Sequence, residues 1–130
     1  MVDFILVAKA FADRSRVRIL TALRAQELCV CELCDALQIT QSTLSTHLQV
    51  IRDAGLVSAR KQGKWMYYAL APHAKSLVRD FFQPFAASLQ ADATLRRDAK
   101  NLRRRLALRN SGECCVGFGD LKSCCQPSRK

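Results

Sequence analysis

Cysteines are the residues of this 130-residue chain best able to do chemistry. Three fall within six positions, Cys29, Cys31 and Cys34, in the stretch ELCVCELC. Four more stand in adjacent pairs towards the C-terminus, Cys114-Cys115 and Cys124-Cys125. Seven is a high and odd count, and no export signal is evident at the apolar start. A disulfide framework is therefore disfavoured, and thiolate chemistry or metal binding is favoured. On a regular helix each residue turns by about 100°, so Cys31 and Cys34 lie about 60° apart and can share one ligand, whereas Cys29 lies about 160° from Cys31. Either Cys29 precedes the helix, or the first turn distorts when all three sulfurs meet one ion. A helix N-terminus favours the thiolate of a cysteine placed there, as Cys31 is.

Three thiolates without histidine suit a soft, thiophilic centre. A trigonal pyramid of sulfurs fits trivalent arsenic or antimony, whose lone pair fills the fourth direction, while zinc prefers a fourth ligand. Glu27, Glu32 and Asp35 lie close in sequence and could complete a site for cadmium, lead or zinc, and oxidants are a further signal the thiols could sense. The tail cysteines Cys114, Cys115, Cys124 and Cys125 either form a second soft site or belong to a flexible tail whose thiols only oxidise or scavenge metal.

The elements that must position these thiols are legible in the apolar spacing. Residues 3–11 form a short apolar helix. A second helix follows, capped by Asp13 or Ser15, with Val17, Ile19, Leu20 and Leu23 inward. Leu33, Ala36 and Leu37 give the cysteine segment a helical apolar side. A fourth helix runs from an N-cap at Thr40 to a left-handed Gly55, with Leu44, Leu48 and Ile51 facing the core. The period then changes. LVSARKQGKWMYYAL, with Gln62-Gly63 in its middle, reads as a β-hairpin whose tip carries Arg60, Lys61 and Lys64. Pro72 is placed to open another helix at its first position, and Pro84 to bend or divide it. Leu95, Ala99, Leu102 and Leu106 form a narrow seam on a basic helix that could pack on a partner subunit.

Two helices joined by a tight turn and followed by a basic hairpin make a winged helix-turn-helix. The fold class predicted is mainly α with a β-hairpin wing. Its division is a DNA-binding and dimerisation domain over 1–90, a basic helical extension over 91–110 and a cysteine-rich tail over 111–130. Small polar side chains on the outer face of the fourth helix let its backbone approach base edges in the major groove. Gln41, Ser42, Thr43, Ser45, Thr46 and Gln49 are the expected readers. His47 either contacts DNA with them or packs against the neighbouring helix. Arg52, Arg60, Lys61 and Lys64 would pair phosphates or reach the minor groove. The net charge of +10 agrees with a polyanion partner, with 11 basic and 7 acidic residues over 1–90 and 10 and 4 over 91–130. One such module reads few base pairs, so a two-fold dimer on a palindrome is expected. The apolar first helix and the Phe-rich segment 75–90 are its predicted interface.

The motifs ELCVCELCDAL and QSTLSTHLQVIRDAGLVSARKQGKWMYYALAP resemble the ArsR/SmtB family of metalloregulators, and most closely its arsenic-responsive repressors. The resemblance covers about residues 4–90. It implies Cys29, Cys31 and Cys34 as ligands for As(III) or Sb(III), Gln41 to Gln49 as the DNA-reading face and Arg60 to Lys64 as the wing. It further implies a homodimer that leaves double-stranded operator DNA when the metalloid binds, with no organic cofactor. The paired tail cysteines depart from that pattern. An enzyme is not expected: Cys31 and Cys34 form a C-x-x-C, but a helix-turn-helix follows it rather than a βαβ unit, and no phosphate- or oxyanion-binding loop is visible. No run of 18 apolar residues occurs, and a cytoplasmic location is expected.

Overall fold

The computed structural model describes residues 2–109, so Cys114, Cys115, Cys124 and Cys125 lie outside the described residues. Seven α-helices and three short strands follow in the order α1 (Val2–Phe11), α2 (Arg14–Leu23), β1 (Leu28–Cys29), α3 (Val30–Leu37), α4 (Gln41–Asp53), β2 (Val57–Gln62), β3 (Trp65–Leu70), α5 (Ala74–Phe82), α6 (Ala86–Ala91) and α7 (Ala93–Leu106). A single 3₁₀ turn, Gln83–Phe85, separates α5 from α6. This is a mainly helical winged helix-turn-helix with β2 and β3 as the wing.

Local chemistry explains the boundaries. Asp13 caps α2 by accepting the N–H groups of Ser15 (2.8 Å) and Arg16 (3.2 Å). Thr40 caps α4 by accepting from the Thr43 N–H at 3.2 Å. Both satisfy donors that a helix start leaves without intrahelical partners. Gly55 (φ 75°) follows α4 in the left-handed region, and Gly63 (φ 62°) opens the wing turn. Pro84 falls in the 3₁₀ turn, so it divides the predicted helix as its missing N–H requires. Pro72 does not occupy the first helical position. It precedes the N-cap residue His73, and α5 begins at Ala74, where buried Ala74 and Val78 turn onto the core.

The turn between α3 and α4 places Gln38 in the left-handed region (φ 57°). Its side-chain amide donates to the Asp35 carbonyl (2.7 Å), and the Ile39 N–H closes onto the Cys34 carbonyl (3.2 Å). The core beneath is continuous: Ile19, Leu20, Leu33, Cys34, Leu37, Leu44, Leu48, Ile51 and Leu56 are all buried in one cluster. Cys34 is thus a core residue of the α3–α4 contact as well as a thiol.

Two features were not expected. Leu28 and Cys29 form a third strand that pairs antiparallel with β3, Leu28 opposite Tyr68 and Cys29 opposite Tyr67. Two residues are too few for an alternating pattern to register. Secondly, half of the α7 seam packs within the chain. Leu102 and Leu106 pack on the core of the same chain, and α7 lies along α3 and α2.

Leu44 is fully buried at the centre of α4. Leu44→Ala is expected to destabilise the fold by about 2–5 kcal/mol, read as a lower urea midpoint with little change in slope.

Candidate functional site

The cysteines sit where strand turns into helix. Cys29 is the N-cap residue of α3 with extended backbone (φ −86°, ψ 166°), so it precedes the helix, one of the two arrangements its spacing allowed. Glu32, three residues on, reaches back and accepts the Cys29 N–H at 3.0 Å, the return half of a capping box. Cys29 and Cys34 are buried and Cys31 is partly exposed. Burial pushes the Cys34 thiol up to about 12, and negative charge on Cys31, Asp35 and Cys29 adds to it. Among the described residues, no group of three His, Cys, Asp or Glu side chains is gathered closely enough to hold an ion. The three sulfurs are neighbours, yet the apo fold does not converge them.

The nearby carboxylates are committed elsewhere. Glu32 has no exposed surface, and both of its oxygens accept from Arg109, at 2.6 and 2.7 Å. Arg109 also donates to the Glu27 carbonyl (2.8 Å). The hydrogen bonds from Arg109 to Glu32 raise the guanidinium's pKa, against the desolvation that would lower it. Asp35 accepts from Arg105 at 2.7 Å, and the Glu27 carboxylate takes both nitrogens of a fork from Arg60, each at 2.7 Å. The expectation that Glu27, Glu32 and Asp35 complete a divalent site meets three carboxylates already neutralised by arginine. These pairings join residues 33 to 77 positions apart, so spacing alone carried no sign of them.

The outer face of α4 is the candidate nucleic-acid surface. Gln41, Ser42, Thr43, Ser45, Thr46, Gln49 and Arg52 are all exposed, while Leu44, Leu48 and Ile51 alternate with them inward. Several hydroxyls are tied down locally: Thr40 donates to the Thr43 hydroxyl (3.0 Å), and Thr46 donates to the Ser42 carbonyl (3.0 Å). Gln49 donates to Asp53 at 2.8 Å. Gln41 and Ser45 stand clear at the leading half of the helix.

Two predicted contacts are placed differently. His47 is half-buried against α2, its Nδ1 3.1 Å from an Arg16 guanidinium nitrogen and 3.7 Å from an Asp13 oxygen, which puts it at the packing boundary. Arg60 stands on the shaft of the wing, over the Tyr67 ring and bonded to Glu27 and the Gln62 amide oxygen. Lys61 and Lys64 are exposed at the tip, Lys64 lying over Trp65.

Similarity to known proteins agrees with this arrangement. The profile of "Bacterial regulatory protein, arsR family" matches residues 13–59, which span α2, the cysteine helix, α4 and the first half of β2. The chain is 48% identical over 66 residues to the arsenical resistance operon repressor of Escherichia coli K12, covering 50% of this chain and 56% of that protein. It is 38% identical over 82 residues to the cadmium resistance transcriptional regulatory protein CadC homolog of Staphylococcus aureus, covering 62% and 68%. Among solved structures, the homodimeric winged helix-turn-helix DNA-binding domain Mb0332 of Mycobacterium bovis superposes with a TM-score of 0.62 at 27% identity, over 70% of this chain and 85% of that one. Fold and site thus define a winged-helix regulatory domain of bacterial type. The chain belongs to the arsR family. It spans just over half the length of the E. coli repressor it matches (56%).

Thiol chemistry follows from the burial pattern. Of Cys29, Cys31 and Cys34, iodoacetamide at about pH 8 is expected to modify Cys31 first and Cys34 last, read by peptide mass spectrometry. The folded-state value for Cys34 lies above the ordinary 9.0, so its contribution to stability is full below about 9 and is lost as pH rises towards about 12. The urea midpoint should therefore fall across that window, less steeply in Cys34→Ala.

Proposed function

We propose that this protein is a transcriptional repressor that binds operator DNA as an apo homodimer and leaves it when trivalent arsenic or antimony is captured by Cys29, Cys31 and Cys34. The observation that carries the reading is the position of the thiols. They span the N-cap and first two turns of α3, and α3 packs directly against α4 through Leu33, Cys34, Leu37, Leu44 and Leu48. Drawing Cys29 towards Cys31 and Cys34 must distort the first turn and shift the helix that faces DNA.

The ligand class follows from charge balance. Arsenous acid is neutral, and with three thiols it gives a neutral tris-thiolate complex and three waters, with no net release of protons. A divalent cation on three thiolates leaves a net negative charge among buried groups and must displace up to three protons, one of them from a thiol held near 12. Glu27, Glu32 and Asp35 are already paired to arginines, so none of the three is a ready fourth ligand of the kind zinc or cadmium favours. A divalent sensor remains the second reading, supported by the likeness to the cadmium regulatory protein homolog.

The dimer is assigned to the apolar surface shared by α1 and α5. Phe4 is 70% exposed and Phe85 57%, and Ile5, Leu77 and Phe81 are exposed beside them. Phe11 stacks on Phe81 (ring centroids 4.0 Å apart) and meets Phe82 edge-on, which joins the two helices into one face. A two-fold axis there would present two α4 helices to a palindromic operator.

The test is operator binding by the purified protein, titrated in parallel with arsenite, antimonite, cadmium and zinc. Arsenite and antimonite should weaken binding by roughly a hundredfold, within the usual range for coupling between two sites. Cys31→Ser should bind the operator normally and stay bound when arsenite is added; release of that variant by arsenite would remove these cysteines from the mechanism. Arsenite affinity should be nearly flat between about pH 6 and about pH 8, whereas cadmium affinity should climb by up to about a thousandfold per pH unit as three protons leave.

A further inference from the structure

Helix α7 lies wholly beyond the family's matched segment, yet it makes the most extensive helix packing in the fold, along α3. Polar contacts from Asp98 onward reinforce the packing of α7 on α2 and α3. Asp98 on α7 pairs with Arg18 of α2 (2.6 and 2.9 Å), and Arg18 also donates to the Leu37 carbonyl at the end of α3 (2.5 Å). Asn101 donates to the Ala36 carbonyl (3.2 Å). Arg105, itself buried, pairs with Asp35. Just past the helix, Arg109 pairs with Glu32 and holds the Glu27 carbonyl.

The last of these contacts reaches the thiol site itself. Glu32 is fully buried between Arg109 and the Cys29 N–H, so one carboxylate joins the end of α7 to the backbone of the first cysteine. The same arginine anchors Glu27, whose carboxylate holds Arg60 of the wing. Segment 27–29 is therefore pinned between α7 and the wing, in the conformation in which the three thiols do not converge. A ligand that draws Cys29 towards Cys31 and Cys34 acts on the residue whose N–H Glu32 holds.

We propose that α7 is a latch on the inducer site, and that Arg109, acting through Glu32, is the positioning residue that holds Cys29 away from Cys31 and Cys34 and so sets how much arsenite is needed for release. This rests on the function proposed above. The latch resists capture: it is closed in the DNA-binding state and yields when the thiols converge. Loosening it lowers the inducer threshold without touching the face that meets DNA.

The experiment compares the full chain with Arg109→Gln, Arg109→Lys and Glu32→Gln. Arsenite affinity is followed by thiolate-to-arsenic absorbance, and operator affinity by fluorescence anisotropy. Arg109→Gln should bind arsenite about tenfold more tightly and release the operator at correspondingly lower arsenite, with apo operator affinity within about twofold of the parent. Glu32→Gln keeps an acceptor for the Cys29 amide but drops the charge that holds Arg109, and Arg109→Lys keeps the charge but loses the two-nitrogen fork. Both should shift the threshold in the same direction by less, which preserves the test should Arg109→Gln fail to fold. Unchanged or weaker arsenite affinity in the folded variants overturns the latch, as does a loss of apo operator affinity that tracks a lower melting temperature with no gain for arsenite. If the parent itself neither binds arsenite nor leaves the operator, the functional reading fails instead, and the two failures are thereby distinguished.

Discussion

A carboxylate with no exposed surface cannot stand alone, and the pairing of Glu32 organises the region around the thiols. Burying an unpaired charge is costly, and removing one partner of a buried pair typically costs roughly 3–5 kcal/mol. Glu32 meets that demand with two hydrogen bonds from Arg109 and one from the Cys29 N–H. The consequence is geometric. Cys29 is held in extended backbone as a helix cap, the first turn of α3 is fixed, and the chain end beyond α7 is tied to the cysteine segment. Because α3 also lines the core against α4, the same carboxylate is one step from α4.

The thiols occupy a middle ground between core and site. Cys34 packs with Leu33, Leu37 and Leu44 as any small apolar residue would, and burial keeps its proton on. Such a thiol is a poor ligand for a cation at neutral pH but a competent partner for a neutral oxyacid that removes the thiol proton as water. Cys31, half-exposed on the first turn, is the accessible member. Surface pairs contribute differently. Arg60–Glu27 is about half exposed and adds little to stability, but it fixes the wing to the strand that carries Cys29.

Much of this was legible from residue types and spacing. The caps at Asp13 and Thr40, the inward row Leu44, Leu48 and Ile51, the glycine-opened wing and the division at Pro84 each rest on an interaction within a few residues, which a local pattern records. His47 was legible only as an alternative, since a half-turn of helix separates a DNA-facing from a core-facing side chain. Arg60 was misread as part of the wing tip because its partner Glu27 is 33 residues away. The place of Pro72 turned on two residues, within the ordinary scatter of helix boundaries.

By itself the sequence determined the winged helix-turn-helix, the exposed polar face of α4 and the clustering of three thiols before it, because periodicity, caps and turn residues act over a few positions of chain. It also determined that Cys29 could not share a regular helical face with Cys31, a matter of helix geometry alone. Only the tertiary structure decided that Cys29 is a strand residue paired with Tyr67, that α7 lies along α3 of its own chain, and that Glu27, Glu32 and Asp35 are each paired with an arginine. Those outcomes depend on contacts between residues far apart in the chain. Several partners could have neutralised each carboxylate equally well by charge, and only the packing of the helices selects which arginine arrives.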